Sequence, residues 1–513
     1  MMMAAALWLL LLFAWSAGAE LRLASYYADH MVLQKEPSQA VIWGYGDSGA
    51  NIMVTASMGH KFVKKMAEVQ GGYKVWRVVL SPMAAGGPYV IHVQQYNKEK
   101  VSNVTLNDIY FGDVWLCSGQ SNMEMTVSQI YNASQELAEA SHYPLVRVFA
   151  ASLVQSEKEL EDLADITLQW SVPTAKNLGH GDFSYFSAVC WLFGRYLFEK
   201  LKYPIGLVES SWGGTPVEAW SSKRALNECG ISEPTERMSS SYLNAGPKEG
   251  SVLWNAMIHP LLNMTIKGVI WYQGEANTLM NTDLYNCTFP ALIDDWRKAF
   301  HEGSDGQTKE DFPFGFVQLC TNQRVEVNDH FPRIRWHQTA DYGYVPNKRM
   351  PNTFMAVSID LGDDGSPYGS IHPRDKQTVA YRLLLGALAI AYEEKSIVFQ
   401  GPYPQKVQVD RAHAAINVTY EEQVVLRHMN NKTFEVCCFA QPECKWRPVS
   451  IVSSSSRSVV LQNVPCPDAV GGLRYAWHEW PCDYKLCPLY NSQALPAPPF
   501  ITFAHDNPGW STL

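Results

Sequence analysis

The sequence has no excess of basic residues: 41 Lys and Arg stand against 50 Asp and Glu over 513 residues, a net charge of −9. Binding to phosphates needs a basic face, and no basic cluster of useful length occurs, so no nucleic acid partner is expected. Beyond the N-terminus no apolar run reaches the roughly 18 residues needed to cross a bilayer, which predicts no membrane span. The 11 cysteines include no C-x2-C pair and no nearby histidine spacing, so no metal site is expected. Low-complexity tracts are absent as well. What remains is the composition of a folded protein, 47% hydrophobic with 17 Trp and 25 Tyr, long enough for two or three domains.

The compartment is read from the first 19 residues. Leu7 to Trp15 is apolar and Ala17-Gly18-Ala19 offers a small-residue cleavage site before Glu20, although Lys and Arg are missing ahead of them. This is a signal peptide pattern, which predicts the secretory pathway. Six N-x-S/T sequons, at Asn103, Asn132, Asn263, Asn286, Asn417 and Asn431, are then expected glycosylation sites. Six cysteines crowd the last quarter (Cys437, Cys438, Cys444, Cys466, Cys482, Cys487) and read as disulfides, with the pairing left open. The odd total leaves at least one free thiol, for which Cys117, in an apolar run, is the candidate.

The hydrophobic pattern divides the rest into three. From 20 to 108 only strand signals occur, such as Ala40-Val-Ile-Trp-Gly-Tyr45 and Tyr89-Val-Ile-His-Val93, which predicts an N-terminal β-sandwich domain. From 109 to 400 short apolar runs at Val114–Cys117, Ile205–Val208, Val269–Tyr272, Phe314–Leu319 and Phe354–Ile359 alternate with helical patterns at Ala188–Lys202, Leu284–Phe300 and Lys376–Tyr392. That alternation predicts an α/β domain with a parallel sheet covered on both faces. From 401 to 513 strand signals return, giving a Cys-rich C-terminal β region.

In an open α/β sheet the chemistry gathers just past the C-terminal strand ends. The first α/β strand here runs into Ser118-Gly119-Gln120-Ser121-Asn122 and then a Met/Glu-rich helix start, which places a serine hydroxyl beside new helix N–H groups. Met123 stands where a G-x-S-x-G elbow has glycine. Ser118 is a weaker alternative to Ser121, being nearer the strand end. Later strands lead to Trp212-Gly213-Gly214-Thr215, to Gln273-Gly274-Glu275-Ala276-Asn277 and to Asp360-Leu-Gly-Asp363-Asp364, followed by His372. A serine, a Gly-Gly turn, an amide-bearing loop and a histidine are the parts that acyl transfer requires: nucleophile, oxyanion donors and general base.

Gly119-Gln-Ser-Asn-Met123, Trp212-Gly-Gly-Thr215, Trp271-Tyr-Gln-Gly-Glu275 and Ile371-His-Pro-Arg-Asp-Lys376 together resemble the blocks of the SGNH hydrolase superfamily, in the branch of the sialate O-acetylesterases. The resemblance covers nearly the whole mature chain. It implies a three-layer SGNH-type catalytic domain flanked by β-sandwich-like regions, no cofactor, and removal of O-acetyl groups from sialic acids, free or on glycans, at the 9-O and secondarily the 4-O position, in a lysosomal or secreted protein. An acetyl esterase of neutral polysaccharides and a non-catalytic glycan-binding protein are the alternatives. Ser121 would be the nucleophile and His372 the base. The oxyanion hole would comprise the N–H groups of Ser121 and Gly214 and the Gln273 amide, with Gly213 and Asn277 as the alternative donors to Gly214 and Gln273 or as site-edge residues. The aspartate usually three residues before the histidine is Gly369 here. His372 is therefore expected to rely on a backbone carbonyl, or on Asp360, Asp363 or Asp364. Arg374, Lys376 and Arg224 are candidates to meet a sialate carboxylate.

Overall fold

The computed structural model describes residues 20–512 except 73, 99, 232–245, 326–327, 429–432, 439–443, 463, 467–468 and 506–507. The expected signal peptide and Asn431 lie outside the described residues.

Near the N-terminus β1 (Asn51–Met58), β2 (Lys61–Glu68), β3 (Gly86–Asn97) and the first part of β4 (Lys100–Gly119) form antiparallel ribbons, while Arg22–Leu23, Val41–Tyr45 and Val75–Val79 form a separate three-stranded sheet. Strict alternation of buried and outward residues along β1 and β3 gives this sheet one core face. β4 does not stop at residue 108. It continues as one 20-residue strand into the α/β region, so the two regions share a strand.

The second half of β4 is apolar on both faces, with Val114, Trp115, Leu116 and Cys117 all buried, the signature of a central parallel strand. Around it lie β5 (Val146–Ala151), β6 (Ile166–Ser171), β7 (Ile205–Ser211), β8 (Gly268–Tyr272), β9 (Phe314–Gln318) and β10 (Thr353–Val357), in the order β6-β5-β7-β4-β8-β9-β10. All neighbours are parallel except the edge strand β6, which runs antiparallel to β5. After β4 the chain builds outward on one side and returns beside it as β7, then crosses to the other side as β8. The end of β4 is therefore a topological switch point, where a crevice opens. Helices α1 (Ser121–Glu124), α2 (Ala188–Leu201), α3 (Tyr285–Gly303), α4 (His330–His337) and α5 (Lys376–Ile390) belong to this region, together with further short helices at Ala133–Glu139, Ala175–Leu178 and Lys223–Glu228. Apart from the start of β4, which lies at Lys100 rather than at the expected Val114, the strand and helix ranges expected from the sequence agree with these within a few residues. β5, β6 and α4 carry weaker patterns and emerge only in three dimensions. An eight-stranded sheet between residues 404 and 512 forms the C-terminal part.

The cysteine pattern brings one correction. Cys117 is not free: it is bonded to Cys190 in the first turn of α2, joining the central strand to the helix packed over it. The partners are 73 residues apart, so only the crossover of β4 and α2 reveals the pair. Cys229 joins Cys287. The C-terminal cysteines pair as Cys437–Cys444, Cys438–Cys466 and Cys482–Cys487. The free thiol is Cys320, buried just beyond β9.

Candidate active site

β4 ends at Gly119, whose φ is +140° and whose missing Cβ would fall 2.1 Å from the Tyr272 carbonyl oxygen of β8. Only glycine allows this approach. It lets the Gln120 N–H donate to Tyr272 at 3.0 Å and delivers Ser121 as the first residue of α1. Ser118, by contrast, is fully buried within the strand.

His372 comes from the loop between β10 and α5, where Gly369 takes φ +89° and accepts the His372 N–H at 2.9 Å. Its Nε2 lies 2.8 Å from Ser121 Oγ and its Nδ1 lies 2.7 Å from the Tyr368 carbonyl oxygen. A carbonyl only accepts, so Nδ1 carries the proton and Nε2 presents its lone pair to the serine hydroxyl. Phe183 packs its ring 5.2 Å from the imidazole, centroid to centroid. Burial lowers the His372 pKa to about 4, against the Tyr368 carbonyl, which favours the charged form.

None of the three aspartates reaches this histidine. Asp360 is fully buried in a two-pronged pair with Arg382 at 2.6 and 2.9 Å. Asp363 holds Arg374 at 2.7 and 2.9 Å, and Asp364 holds Arg324 at 2.7 Å. Each has an arginine nearer than the imidazole, and the turn at Gly369 gives the Nδ1 position to a carbonyl.

The oxyanion side also differs from expectation. Gln273 is wholly buried and spends its amide on the Thr215 carbonyl and Asn277 Oδ1, while its own oxygen accepts from Tyr285. Asn277 donates to Glu218 and to the Met280 carbonyl. Both side chains brace the loops from behind, so neither faces the cleft. The Gly213 N–H donates to Glu124 at 2.7 Å. Among the described residues the N–H groups of Ser121 and Gly214 meet no acceptor. Gln120, passed over in the sequence, lines the cleft. Its Oε1 is held by the N–H groups of Gly274 and Ala276, and its Nε2 has no partner among the described residues. Its position directly before Ser121 was the available signal.

Behind the pair, Asn122 ties the two halves of the site together. Its Nδ2 donates to Glu275 at 2.6 Å and to the Ile371 carbonyl at 2.8 Å, and its Oδ1 accepts from Lys376 at 2.7 Å. Lys376 also donates to the Pro373 carbonyl. The residue after Ser121 therefore holds one neighbour of His372 directly and the other through Lys376. Lys376 is fully buried in this role, its pKa lowered to about 8 by desolvation. Arg374 is engaged by Asp363 and Arg224 by Asp295, so none of the three cations lines the cleft. The cleft itself is a cavity of about 830 Å³ walled by Leu153, Phe183, Trp212, Leu279 and Phe331. Desolvation raises the pKa of Glu124 to about 7 and pushes Glu275 upward, so two weakly acidic carboxyls lie beside Ser121.

A serine–histidine pair at the switch point of a parallel sheet, beside unpaired backbone donors, is the constellation of the α/β serine esterases. Comparison with known proteins narrows this. Residues 111–366 match the family model for carbohydrate esterase, sialic acid-specific acetylesterase, and residues 405–504 match the sialate O-acetylesterase C-terminal domain. The human sialate O-acetylesterase is 56% identical over 96% of this chain and 94% of its own length, and the mouse protein is 53% identical over 95% of each. The crystal structure of a carbohydrate acetylesterase from Xanthomonas citri superposes with a TM-score of 0.76 at 28% identity, over 94% of this chain and 99% of that one. The chain belongs to the sialate O-acetylesterase family of carbohydrate esterases, and it is an esterase.

Proposed function

We propose that this esterase removes O-acetyl groups from sialic acids, at the 9-O and secondarily the 4-O position, through a Ser121–His372 acetyl-enzyme mechanism. The carrying observation is the 2.8 Å contact between Ser121 Oγ and His372 Nε2, with Nδ1–H held by Tyr368. His372 takes the hydroxyl proton as Ser121 attacks the acetyl carbonyl. The N–H groups of Ser121 and Gly214 receive the oxyanion, and the Gln120 amide takes the side-chain donor role expected of Gln273. One such donor contributes about 3 kcal/mol. The imidazolium then protonates the departing sugar oxygen, and His372 activates water to release acetate from the acetyl-serine.

The test is acetate release from 9-O-acetylated sialate and from acetylated xylan, combined with fluorophosphonate labelling. Labelling at Ser121 with preference for the sialate supports the reading. Preference for xylan moves it to a neutral polysaccharide esterase, and neither turnover nor labelling to a glycan-binding protein.

The histidine predicts an acid-tolerant enzyme. Catalysis needs neutral imidazole, and a pKa lowered to about 4 keeps it neutral well below the usual 6.5. The acid limb of kcat/KM is thus expected near pH 4, with activity retained at pH 5. A limb near pH 6.5 would contradict it. Such a base suits a lysosomal as well as a secreted protein. The five disulfides agree with the secretory pathway, and among the described residues no helix is long and apolar enough to cross a membrane.

A further inference from the structure

The β1–β4 ribbon has two unlike faces. Ile52, Val54, Ile91 and Val93 are fully buried on one. On the other, Phe62, Met66, Tyr96 and Val101 are 64%, 68%, 37% and 52% exposed. The register lines these outward residues up in rows. Met66, Met53, Gln94 and Asn103 lie opposite one another across the four strands, and Val101 stands opposite Tyr96 in the next row. Among the described residues β2 pairs with β1 alone, so the apolar strip ends on an open strand edge. Asn51, Thr55, Lys64 and Glu68 share this face, and Lys61 and Lys65 flank the edge, yet an apolar strip running onto an open edge still favours association between copies.

The same face carries a sequon. Asn103 is exposed, its Oδ1 accepts from Gln94 Nε2 at 3.1 Å, and its Nδ2, the atom that takes the sugar, has no partner among the described residues. The hydroxyl of the sequon's Thr105 sits 3.0 Å from His92 on the neighbouring strand. The amide is thereby held in the row that leads to Met53 and Met66. Asn286 differs, because its Nδ2 already donates to Asp341.

We propose that the N-linked glycan on Asn103 lies back across this face and covers the strip from Val101 and Tyr96 to Met53 and Met66. Met53 stands two strands away, about 10 Å, within reach of the first sugars. Sugar rings present C–H faces to the tyrosine and the aliphatic side chains, and their hydroxyl and acetamido groups turn outward to water. The glycan completes the surface of a sheet that the polypeptide leaves bare on one side.

Peptide mapping of the secreted glycoprotein first reads occupancy of Asn103. Peroxide oxidation of Met66 and Met53 is then compared in the intact glycoprotein, in the same protein trimmed by an endoglycosidase after folding, and in Asn103→Gln and Thr105→Ala. Sulfoxide formation at Met66 is expected to rise about threefold or more once the glycan is gone, and light scattering to show self-association. Phe62→Thr with Met66→Thr in the Asn103→Gln background is expected to restore a single species, with esterase activity unchanged throughout. A vacant Asn103, or equal oxidation with and without the glycan, overturns the proposal. So does a partner protein or vesicle that binds this face of the glycosylated form. The endoglycosidase arm decides the matter even where the unglycosylated variants fail to be secreted.

Discussion

Replacing Ser121 by alanine is expected to reduce acetate release on the order of 10⁴-fold or more, with folding and secretion unchanged. Removing the nucleophile of a serine hydrolase leaves only what binding and the oxyanion donors contribute. The change deletes one oxygen whose partner in the structure is His372 Nε2. Asn122, which bridges Glu275, the Ile371 carbonyl and Lys376, stays in place, so the surrounding loops keep their ties. Thermal unfolding and circular dichroism on the purified variant separate lost chemistry from lost structure. Activity near that of the parent would remove Ser121 from the mechanism, and labelling of another serine would identify its replacement.

The second large effect is a contrast. His372→Ala is expected to lose on the order of 10⁴-fold in kcat, whereas Asp363→Asn and Asp364→Asn stay within about threefold of the parent. In a triad, Asp→Asn at the position orienting the histidine costs about 10⁴. Here the Tyr368 carbonyl holds Nδ1–H, and that acceptor belongs to the backbone. Asp360→Asn should show a different signature. It breaks a fully buried pair with Arg382, which costs about 3–5 kcal/mol of stability, while the fraction that remains folded keeps its turnover. A 10⁴-fold loss in Asp363→Asn with the fold intact would overturn the carbonyl as the orienting group.

The corrections at this site share one cause. Gln273 and Asn277 sit where chain position suggests oxyanion donors, yet both turn away because Thr215, Tyr285 and Glu218 offer partners beneath the sheet edge. The Gln120 side chain reaches the loop after β8, where the Gly274 and Ala276 N–H groups hold its oxygen. Lys376, a candidate for the substrate carboxylate, is instead a buried post under Asn122. A buried amide or ammonium goes wherever its hydrogen bonds can be satisfied, and partners such as Thr215, Glu218 and Asn122 come from residues about 60 to 250 positions away.

Local chemistry written in the chain determined the rest. Continuous apolar runs and helical periodicity placed β4, β7, β8, β9 and β10 with α2, α3 and α5, because burial on two faces leaves a pattern in any window of a few residues. The serine and histidine were legible for the same reason, each beside a strand end marked by its own short motif. Tertiary structure alone decided which groups meet: the Cys117–Cys190 bond, the free Cys320, the carbonyl in place of a carboxylate at His372, and the direction of the Gln120 and Asn122 amides. Those outcomes depend on distances between segments far apart in the chain, and a one-dimensional pattern carries no record of them.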